Sequence, residues 1–298
     1  MVSKTAYQNI KVISHEYILN KIIYNLPLSN KRMQVIKATG DLQKFSPKKI
    51  YKTIREAGGS NKLAKESIIF VKKHYHKNLE TKEILNLLVN FLKKEPGVSE
   101  RYDLKRAIMS LGPSGFPFED FFSSVLRYYG FKTTTGIKIK GKAVYQEIDI
   151  IAEKNKKFMI ECKYRNETGG RIKLKPAMYT YARFLDVKKH GFNQSWLVTN
   201  TKCSSDARKY SQGVNQKITS WKYPEKASLK KLIEKPKLYP ITILKNLSTK
   251  AKEKLYELKI LVAKDLLNYS IKELQLKTKL SKKEIEKIIQ EVKDVCDI

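Results

Sequence analysis

The chain has 298 residues, of which 41% are apolar, and it carries a formal net charge of +32. This length and apolar content are enough for two or three compact domains, and the large positive charge favours a polyanionic partner such as nucleic acid. No stretch reaches the roughly 20 apolar residues of a membrane span, and the N-terminus lacks the apolar core of a signal peptide. We therefore expect a cytoplasmic protein without a membrane partner.

Two further absences narrow the function. The three cysteines, Cys162, Cys203 and Cys296, form no C-x-x-C pair, which favours a reducing compartment and argues against a zinc site. No GxxxxGK[ST] motif occurs, so an ATP-hydrolysing motor is not expected. Most of the basic residues are lysine, and compositional drift alone could produce part of the charge.

Residues 1–32 are predicted to be an N-terminal extension. The stretch HEYILNKIIYNL could form a short amphipathic helix that Pro27 ends. Nothing in it suggests chemistry.

Residues 33–110 are predicted to form a mostly α-helical domain with a small β-hairpin. In MQVIKATGDLQKF, two short strands flank a turn at Gly40, and a helix follows with Ser46 as its cap and Pro47 at its first position. Further helices are expected at about 62–74, 81–94 and 99–110.

This arrangement resembles the ATP-cone, a small nucleotide-sensing domain. The residues that carry the resemblance are Val35, Lys37, Gly40, Phe45, Lys49 and Ile50. The resemblance implies that both lysines face nucleotide phosphates, that the apolar positions enclose the base, and that ATP or dATP acts as an effector. The chain has Ala38 and Thr39 where the family usually has Arg and Asp, and Gln43 where an acid is common, so a cone that no longer binds nucleotide is the alternative.

Residues 111–235 are predicted to form an α/β core with a mixed sheet. Helical and strand patterns alternate along it, which implies a sheet covered by helices on both faces. The elements are a helix in GFPFEDFFSSVLRYYG, a hairpin in QEIDIIAEKNKKFMIECKY, helices in KPAMYTYARFLDV and SSDARKYSQG, and strands in QSWLVTN and KITSWKYP.

The hairpin carries the clearest chemical pattern in the chain. If its loop is centred on Asn155, Asp149 lies opposite Glu161 and Glu147 lies opposite Lys163. Opposed carboxylates suit Mg²⁺ or Mn²⁺, and a lysine on their face could orient the attacking water or stabilise the transition state. A solvated sheet face in a lysine-rich protein is the alternative. The other face is predicted to carry the apolar residues Ile148, Ile150, Phe158, Ile160 and Cys162. Gln146 falls on the Ile148 side, so a catalytic role for it would need a bulge.

The stretch 111–232 resembles the Mrr-like branch of the PD-(D/E)xK restriction endonuclease superfamily. Asp149, Glu161 and Lys163 match its D…ExK signature, and Glu119 matches an acid that this branch often carries on the first core helix. The resemblance implies a Mg²⁺-dependent DNA endonuclease in which these four residues are catalytic and the three acids bind metal. Glu119 could instead favour the helix start through its charge.

Basic residues follow the hairpin in a Gly-Gly loop. Arg171, Lys173 and Lys175 could contact DNA phosphates, and a flexible basic loop without specific contacts is the alternative.

Residues 236–298 follow the linker EKPKLYPIT and read as four or five short helices. This all-α segment resembles a helix-hairpin-helix module or the C-terminal domain of RNA polymerase α, with KTKLS in place of the turn glycines. Ser281 and Glu284 are predicted to form a capping box. Lys279, Lys282 and Lys283 are candidate phosphate contacts. A helical interaction or dimerisation domain is the alternative.

The sequence thus predicts a multidomain Mg²⁺-dependent DNA endonuclease of Mrr-like restriction type that responds to ATP or dATP. A homodimer is expected because cutting both strands usually needs two active sites. Two other functions stay open, namely a nucleotide-responsive DNA-binding regulator with a non-catalytic core, and a structure-specific junction nuclease.

Overall fold

The computed structural model of the chain describes residues 33–112, 118–166 and 169–298. Contacts divide the chain into two compact units, Met1–Tyr102 and Asp103–Ile298, whereas the sequence places this boundary after Ser110. The predicted extension, residues 1–32, lies outside the described residues. Every described helix is too short or too polar to span a bilayer.

From residue 33 onward, the first unit is a β-hairpin followed by helices, as its sequence pattern predicts. Strands β1 and β2 pair antiparallel, and the intervening turn has Gly40 at φ +81, a conformation that favours glycine. Ser46 caps the first helix by accepting the N–H of Lys49, and Pro47 begins that helix. The elements are β1 (Gln34–Ile36), β2 (Leu42–Lys44), α1 (Pro47–Glu56), α2 (Asn61–Lys73), α3 (Thr81–Phe91) and α4 (Val98–Tyr102).

The second unit contains a five-stranded mixed sheet, which confirms the predicted α/β core with a mixed sheet. Strand order is β3-β4-β5-β7-β9, with β3, β4 and β5 antiparallel and β5, β7 and β9 parallel. The strands are β3 (Lys132–Lys140), β4 (Tyr145–Glu153), β5 (Lys157–Lys163), β7 (Gln194–Thr199) and β9 (Lys217–Thr219), with a separate parallel pair β6 (Arg171–Ile172) and β8 (Lys202–Cys203). β3 is not among the strands that the sequence pattern predicts.

Helices cover both faces of this sheet. They are α5 (Leu104–Met109), α6 (Phe118–Tyr128), α7 (Leu174–Val187), α8 (Ser205–Gly213), α9 (Leu229–Glu234), α10 (Thr249–Glu257), α11 (Ile271–Thr278) and α12 (Lys282–Cys296). The main core joins the phenylalanines of α6 to Ile150 and Ile160 of the sheet and extends to Val292 in α12. The predicted C-terminal segment is therefore packed on the α/β core within one unit. A smaller core under α7 contains Phe184 and Val187.

One prediction about the sheet faces is wrong. Ile148 does not share a face with Ile150 and Ile160, because it packs with Met159 in the core under α7. The alternation breaks between Ile148 and Ile150, that is, at Asp149. On the paired strand Gly136, between the partners of those two residues, has φ +64. The pairing of β3 with β4 is interrupted at this left-handed glycine, and Ile148 and Ile150, on either side of the interruption, lie on different faces.

Candidate active site

The two candidate acids of the hairpin lie on adjacent strands. β4 and β5 pair from Glu153–Lys157 as far as Ile150–Ile160, and Asp149 and Glu161 are the next residue of each strand. The Oδ2 atom of Asp149 accepts the backbone N–H of Cys162 at 2.6 Å. Asp149 therefore stands at the strand irregularity, with its carboxylate turned toward the end of β5.

Glu161 is almost fully buried and is held by two cationic side chains. Its side chain is 2% exposed, Lys163 Nζ lies 2.5 Å from Oε1, and Arg183 Nη1 donates to Oε2. A buried carboxylate is costly unless it is paired and hydrogen-bonded, and both partners offset that cost. Arg183 projects from α7, the helix that covers this face of the sheet.

Arg183 belongs to a network of polar contacts that the sequence pattern does not predict. Its Nε donates to Gln146 Oε1 at 3.2 Å, and Gln146 Nε2 donates to Asp186 Oδ2 at 2.8 Å. Asp186 Oδ1 accepts the backbone N–H of Lys142 at the tip of the β3–β4 hairpin, at 2.7 Å. The face change at Asp149 is the irregularity that lets Gln146 reach this site. The available signal for Arg183 was its position beside the apolar residues Ala182 and Phe184 in the predicted helix, but its partner could not be read from the sequence.

The electrostatics of the site are those of crowded carboxylates. Burial raises the pKa of Asp149 to about 6, helped by Glu161 and Glu119 and opposed by the Cys162 N–H and Lys163. Burial also raises the pKa of Glu119, with smaller contributions from the acids Asp120, Glu147 and Glu161. Such perturbed acids are typical of functional sites, since a bound cation relieves their repulsion.

The donor set fits a divalent cation held by two carboxylates. In the parts of the chain that the structure describes, no three His, Cys, Asp or Glu side chains are grouped to hold a metal ion. Glu119 as a third ligand therefore stays a prediction. Mg²⁺ commonly takes one or two protein carboxylates and completes its shell with water and substrate phosphate oxygens. Asp149 and Glu161 supply that minimum.

Asp120, beside Glu119, has a structural role. Its carboxylate accepts the hydroxyl of Thr135 in β3 at 3.0 Å and pairs with Lys259 Nζ at 2.6 Å. The acid thereby joins α6 to the sheet and to the C-terminal helices.

The basic residues predicted to contact DNA are all exposed. Arg171 lies in β6, Lys173 caps α7, and Lys175 lies in its first turn. Residues 167–168 of the preceding loop lie outside the described residues. Lys279 ends α11 in a left-handed conformation, and Lys282 and Lys283 begin α12. The predicted capping box of Ser281 and Glu284 is confirmed, with both reciprocal bonds present.

The predicted nucleotide residues of the first unit divide into two groups. Val35, Phe45 and Ile50 are 5%, 4% and 7% exposed and lie in the core of the unit, while Lys37, Gly40 and Lys49 are exposed. A cavity of about 370 Å³ in this unit is lined by other residues, namely His74, His76, Leu79, Glu83, Asn86, Leu87 and Asn90.

Comparisons with known proteins separate two segments of the second unit. Residues 112–229 match the family model of a restriction endonuclease domain, and residues 239–296 match that of an AF1548-like C-terminal domain. An uncharacterized protein of Archaeoglobus fulgidus is 43% identical over 175 residues, which are 57% of this chain and 97% of that protein. The crystal structure of AF1548, a protein of unknown function, has a TM-score of 0.54 at 40% identity and is matched over 96% of its chain and 60% of this one.

Proposed function

The chain belongs to the family of AF1548-like proteins, and from this membership we propose that it is a divalent-cation-dependent DNA endonuclease. The observation that carries the proposal is the pair of neighbouring acids, Asp149 and Glu161, with Lys163 paired to Glu161, inside the segment that matches a restriction endonuclease domain. The match to that domain suggests nuclease activity. The specific reaction, substrate and residues are our proposal.

Asp149 and Glu161 would hold Mg²⁺ or Mn²⁺. When bound, the ion would acidify a water and neutralise charge on the scissile phosphate. Asp149 must lose its proton before it can act as a ligand. Because its pKa is raised to about 6, the ionised form predominates only above about pH 6. Lys163, more exposed than the glutamate it pairs with, can turn its ammonium toward a phosphate oxygen or the attacking water.

DNA is the proposed substrate because exposed basic residues follow the candidate hairpin and begin the last C-terminal helix. Arg171, Lys173 and Lys175 precede or begin α7, whose Arg183 reaches Glu161. Lys282 and Lys283 begin the 15-residue helix α12, where backbone N–H groups add to their charge as a phosphate contact. A homodimer would supply the second active site needed to cut both strands.

Residues 33–110 are proposed to bind ATP or dATP as an ATP-cone. The support is local: Lys37 and Gly40 lie at the exposed hairpin turn, and Lys49 lies in the first turn of α1. Such a nucleotide would act as an effector through different affinities for two states.

The test is a cleavage assay with Mg²⁺ on linear, supercoiled, methylated, single-stranded and four-way-junction DNA. We expect cleavage by the parent and loss of it in Asp149→Ala and in Glu161→Ala, with folding checked by circular dichroism. Glu153→Ala is the matched control, since Glu153 is a surface carboxylate of the same strand that pairs with Lys157. Full activity of Asp149→Ala would reject the proposal, and cleavage confined to the junction would make the protein a structure-specific nuclease.

A further inference from the structure

The two oxygens of Glu161 have partners of unequal mobility. Lys163, on Oε1, has a side chain that is 38% exposed, whereas Arg183, on Oε2, is 11% exposed. An ammonium on a four-carbon stem is a mobile point charge, while a guanidinium is a rigid planar fork that stays charged. A cation that competes for Glu161 would therefore displace Lys163 from Oε1 and leave Arg183 on Oε2.

Arg183 is braced from three directions. Its Nη1 contacts Glu161, its Nε contacts Gln146, and its guanidinium lies 5.5 Å from the ring centre of Tyr179, one helical turn away. Each contact fixes a different part of the fork, so the guanidinium has one orientation at the site.

Asp186 determines which end of the Gln146 amide faces Arg183. A carboxylate only accepts hydrogen bonds, so it takes the amide NH₂ and leaves the amide oxygen for the guanidinium, which only donates. The Asp186 carboxylate lies against the hairpin tip, where a Cβ atom added to Gly141 would lie 1.9 Å from Asp186 Oδ2. Because Gly141 has no side chain, the carboxylate can occupy this space.

We propose that Arg183 is a positioning residue for the metal site, acting through Glu161, with Gln146 and Asp186 acting in turn through Arg183. By fixing Oε2, Arg183 holds the carboxylate so that Oε1 faces the cation once Lys163 withdraws. This inference rests on the proposed function, and nothing in the family comparison assigns these three residues a role. Contacts that orient metal ligands typically change metal affinity by about 10–100-fold when removed.

The test measures cation binding apart from catalysis. Ca²⁺ is titrated calorimetrically into the full-length protein without DNA, and cleavage is then measured as a function of Mg²⁺ concentration. For Arg183→Gln we expect Ca²⁺ affinity to fall about 10-fold or more, the Mg²⁺ midpoint to rise in parallel, and cleavage at saturating Mg²⁺ to stay within about threefold. Arg183→Lys keeps the charge without the fork, so it should restore only part of the affinity.

Asp186→Asn is the second variant, because it leaves Glu161 and Arg183 intact. An asparagine NH₂ group that faces the Gln146 NH₂ group sets one hydrogen-bond donor against another. The Ca²⁺ affinity should therefore fall, but by less than in Arg183→Gln. Arg208→Gln is the matched control: Arg208 also lies over a tyrosine ring, that of Tyr223, at 5.1 Å, and should have no effect on affinity.

Three outcomes would overturn the inference. The first is an unchanged Ca²⁺ affinity in Arg183→Gln. The second is tighter Ca²⁺ binding in that variant, which would make Arg183 a competitor of the cation. The third is lost cleavage at saturating Mg²⁺ with an unchanged Mg²⁺ midpoint, which would mean that Arg183 contacts the DNA. Asp149→Asn separates this failure from that of the proposed function. If Asp149→Asn binds Ca²⁺ and cleaves like the parent, the nuclease site itself is wrong. If it loses both while Arg183→Gln binds normally, only the positioning role fails.

Discussion

The second unit buries the acids of its candidate site wholly or in part, whereas the first unit buries the apolar residues of its candidate site and exposes the lysines. Glu161 is 2% exposed and ion-paired on both oxygens, and Asp149 is partly buried with a raised pKa. In the first unit Val35, Phe45 and Ile50 are in the core, and Lys37 is in solvent.

This difference decides how much each pattern says about function. Burying an apolar side chain lowers the free energy of the folded state, so a buried valine needs no further explanation. Burying a carboxylate raises the free energy of the folded state unless partners compensate. The burial of Glu161 and Asp149 therefore needs an explanation, such as a function. The same reasoning makes the nuclease site a strong hypothesis and the nucleotide site a weaker one.

The largest expected effect comes from removing the ammonium at Glu161. In Lys163→Ala we expect turnover to fall about 10²–10³-fold, the usual loss for one group that stabilises a transition state. Ca²⁺ binding should persist, because both carboxylates remain and a competitor for Oε1 is gone. Turnover and Ca²⁺ affinity are measured on the same preparation.

Lys157→Ala is the control for Lys163→Ala. Lys157 begins the same strand but pairs with Glu153 at 3.5 Å. Loss of Ca²⁺ binding in Lys163→Ala, or equal turnover loss in the control, would mean that the lysine supports the fold rather than the chemistry.

The pH dependence tests whether Asp149 is the group whose charge matters. Its pKa is raised to about 6, so the ionised, cation-binding form is lost as pH falls below that value. At low Mg²⁺, kcat/KM should fall about tenfold per pH unit below pH 6 and level off above it. More Mg²⁺ should move the midpoint to lower pH, since the cation favours the ionised form.

Glu119→Gln provides a second test of the pH dependence of kcat/KM. The charge of Glu119 helps raise the pKa of Asp149, so its removal should shift the midpoint downward. A flat profile between pH 5 and pH 7 would exclude Asp149 as a ligand that must ionise.

The sequence predicts the local geometry of the site better than its surroundings. The proximity of Asp149 and Glu161 follows from the short loop between their strands, which is a short-range property. The wrong face for Ile148 arose because strand alternation breaks at Asp149, where the pairing of β4 with β3 is interrupted at the positive-φ residue Gly136. β3 was not identified because KTTTGIKIK has only two strongly apolar residues, Ile137 and Ile139, and is interrupted by that glycine.

Arg183 illustrates what tertiary contacts add. It lies 22 residues from Glu161 in sequence, and only the packing of α7 on the sheet brings them together. The predicted third acid, Glu119, is within electrostatic reach of Asp149, but its carboxylate does not join a metal-holding group among the described residues. Side-chain direction at a helix start was not available from the pattern.

A smaller effect is expected on stability when Asp149 is replaced. The substitution should stabilise the fold although it removes activity. The pKa of Asp149 is higher in the folded state than its ordinary value of 3.8, so ionisation near neutral pH destabilises the fold. In Asp149→Asn we expect about 1–2 kcal/mol of added stability at pH 7.5 with EDTA, a few degrees in Tm, and no gain at pH 4, where the parent is protonated.

Glu153→Gln, on the surface of the same strand, is the control for the stability measurement. If Asp149→Asn were stabilised equally at both pH values, shape rather than charge would be the cause. A loss of stability would show that the bond from the Cys162 N–H outweighs the cost of burial.

The smallest effect is expected in the first unit, and it is the one that could change the comparison. If ATP or dATP binds the folded protein, tenfold excess over Kd should stabilise it by about 1.4 kcal/mol, visible as a modest rise in Tm. Lys37→Glu should abolish the rise by placing a negative charge near the phosphates. Lys52→Glu, on an exposed part of α1, should not abolish it.

A rise in Tm that survives Lys37→Glu would place the nucleotide elsewhere. No rise at millimolar nucleotide would mean that Val35, Phe45 and Ile50 are core residues alone. The exposed lysines would then reflect composition, and burial of charge would remain the feature that separates a functional site from a fold in this chain.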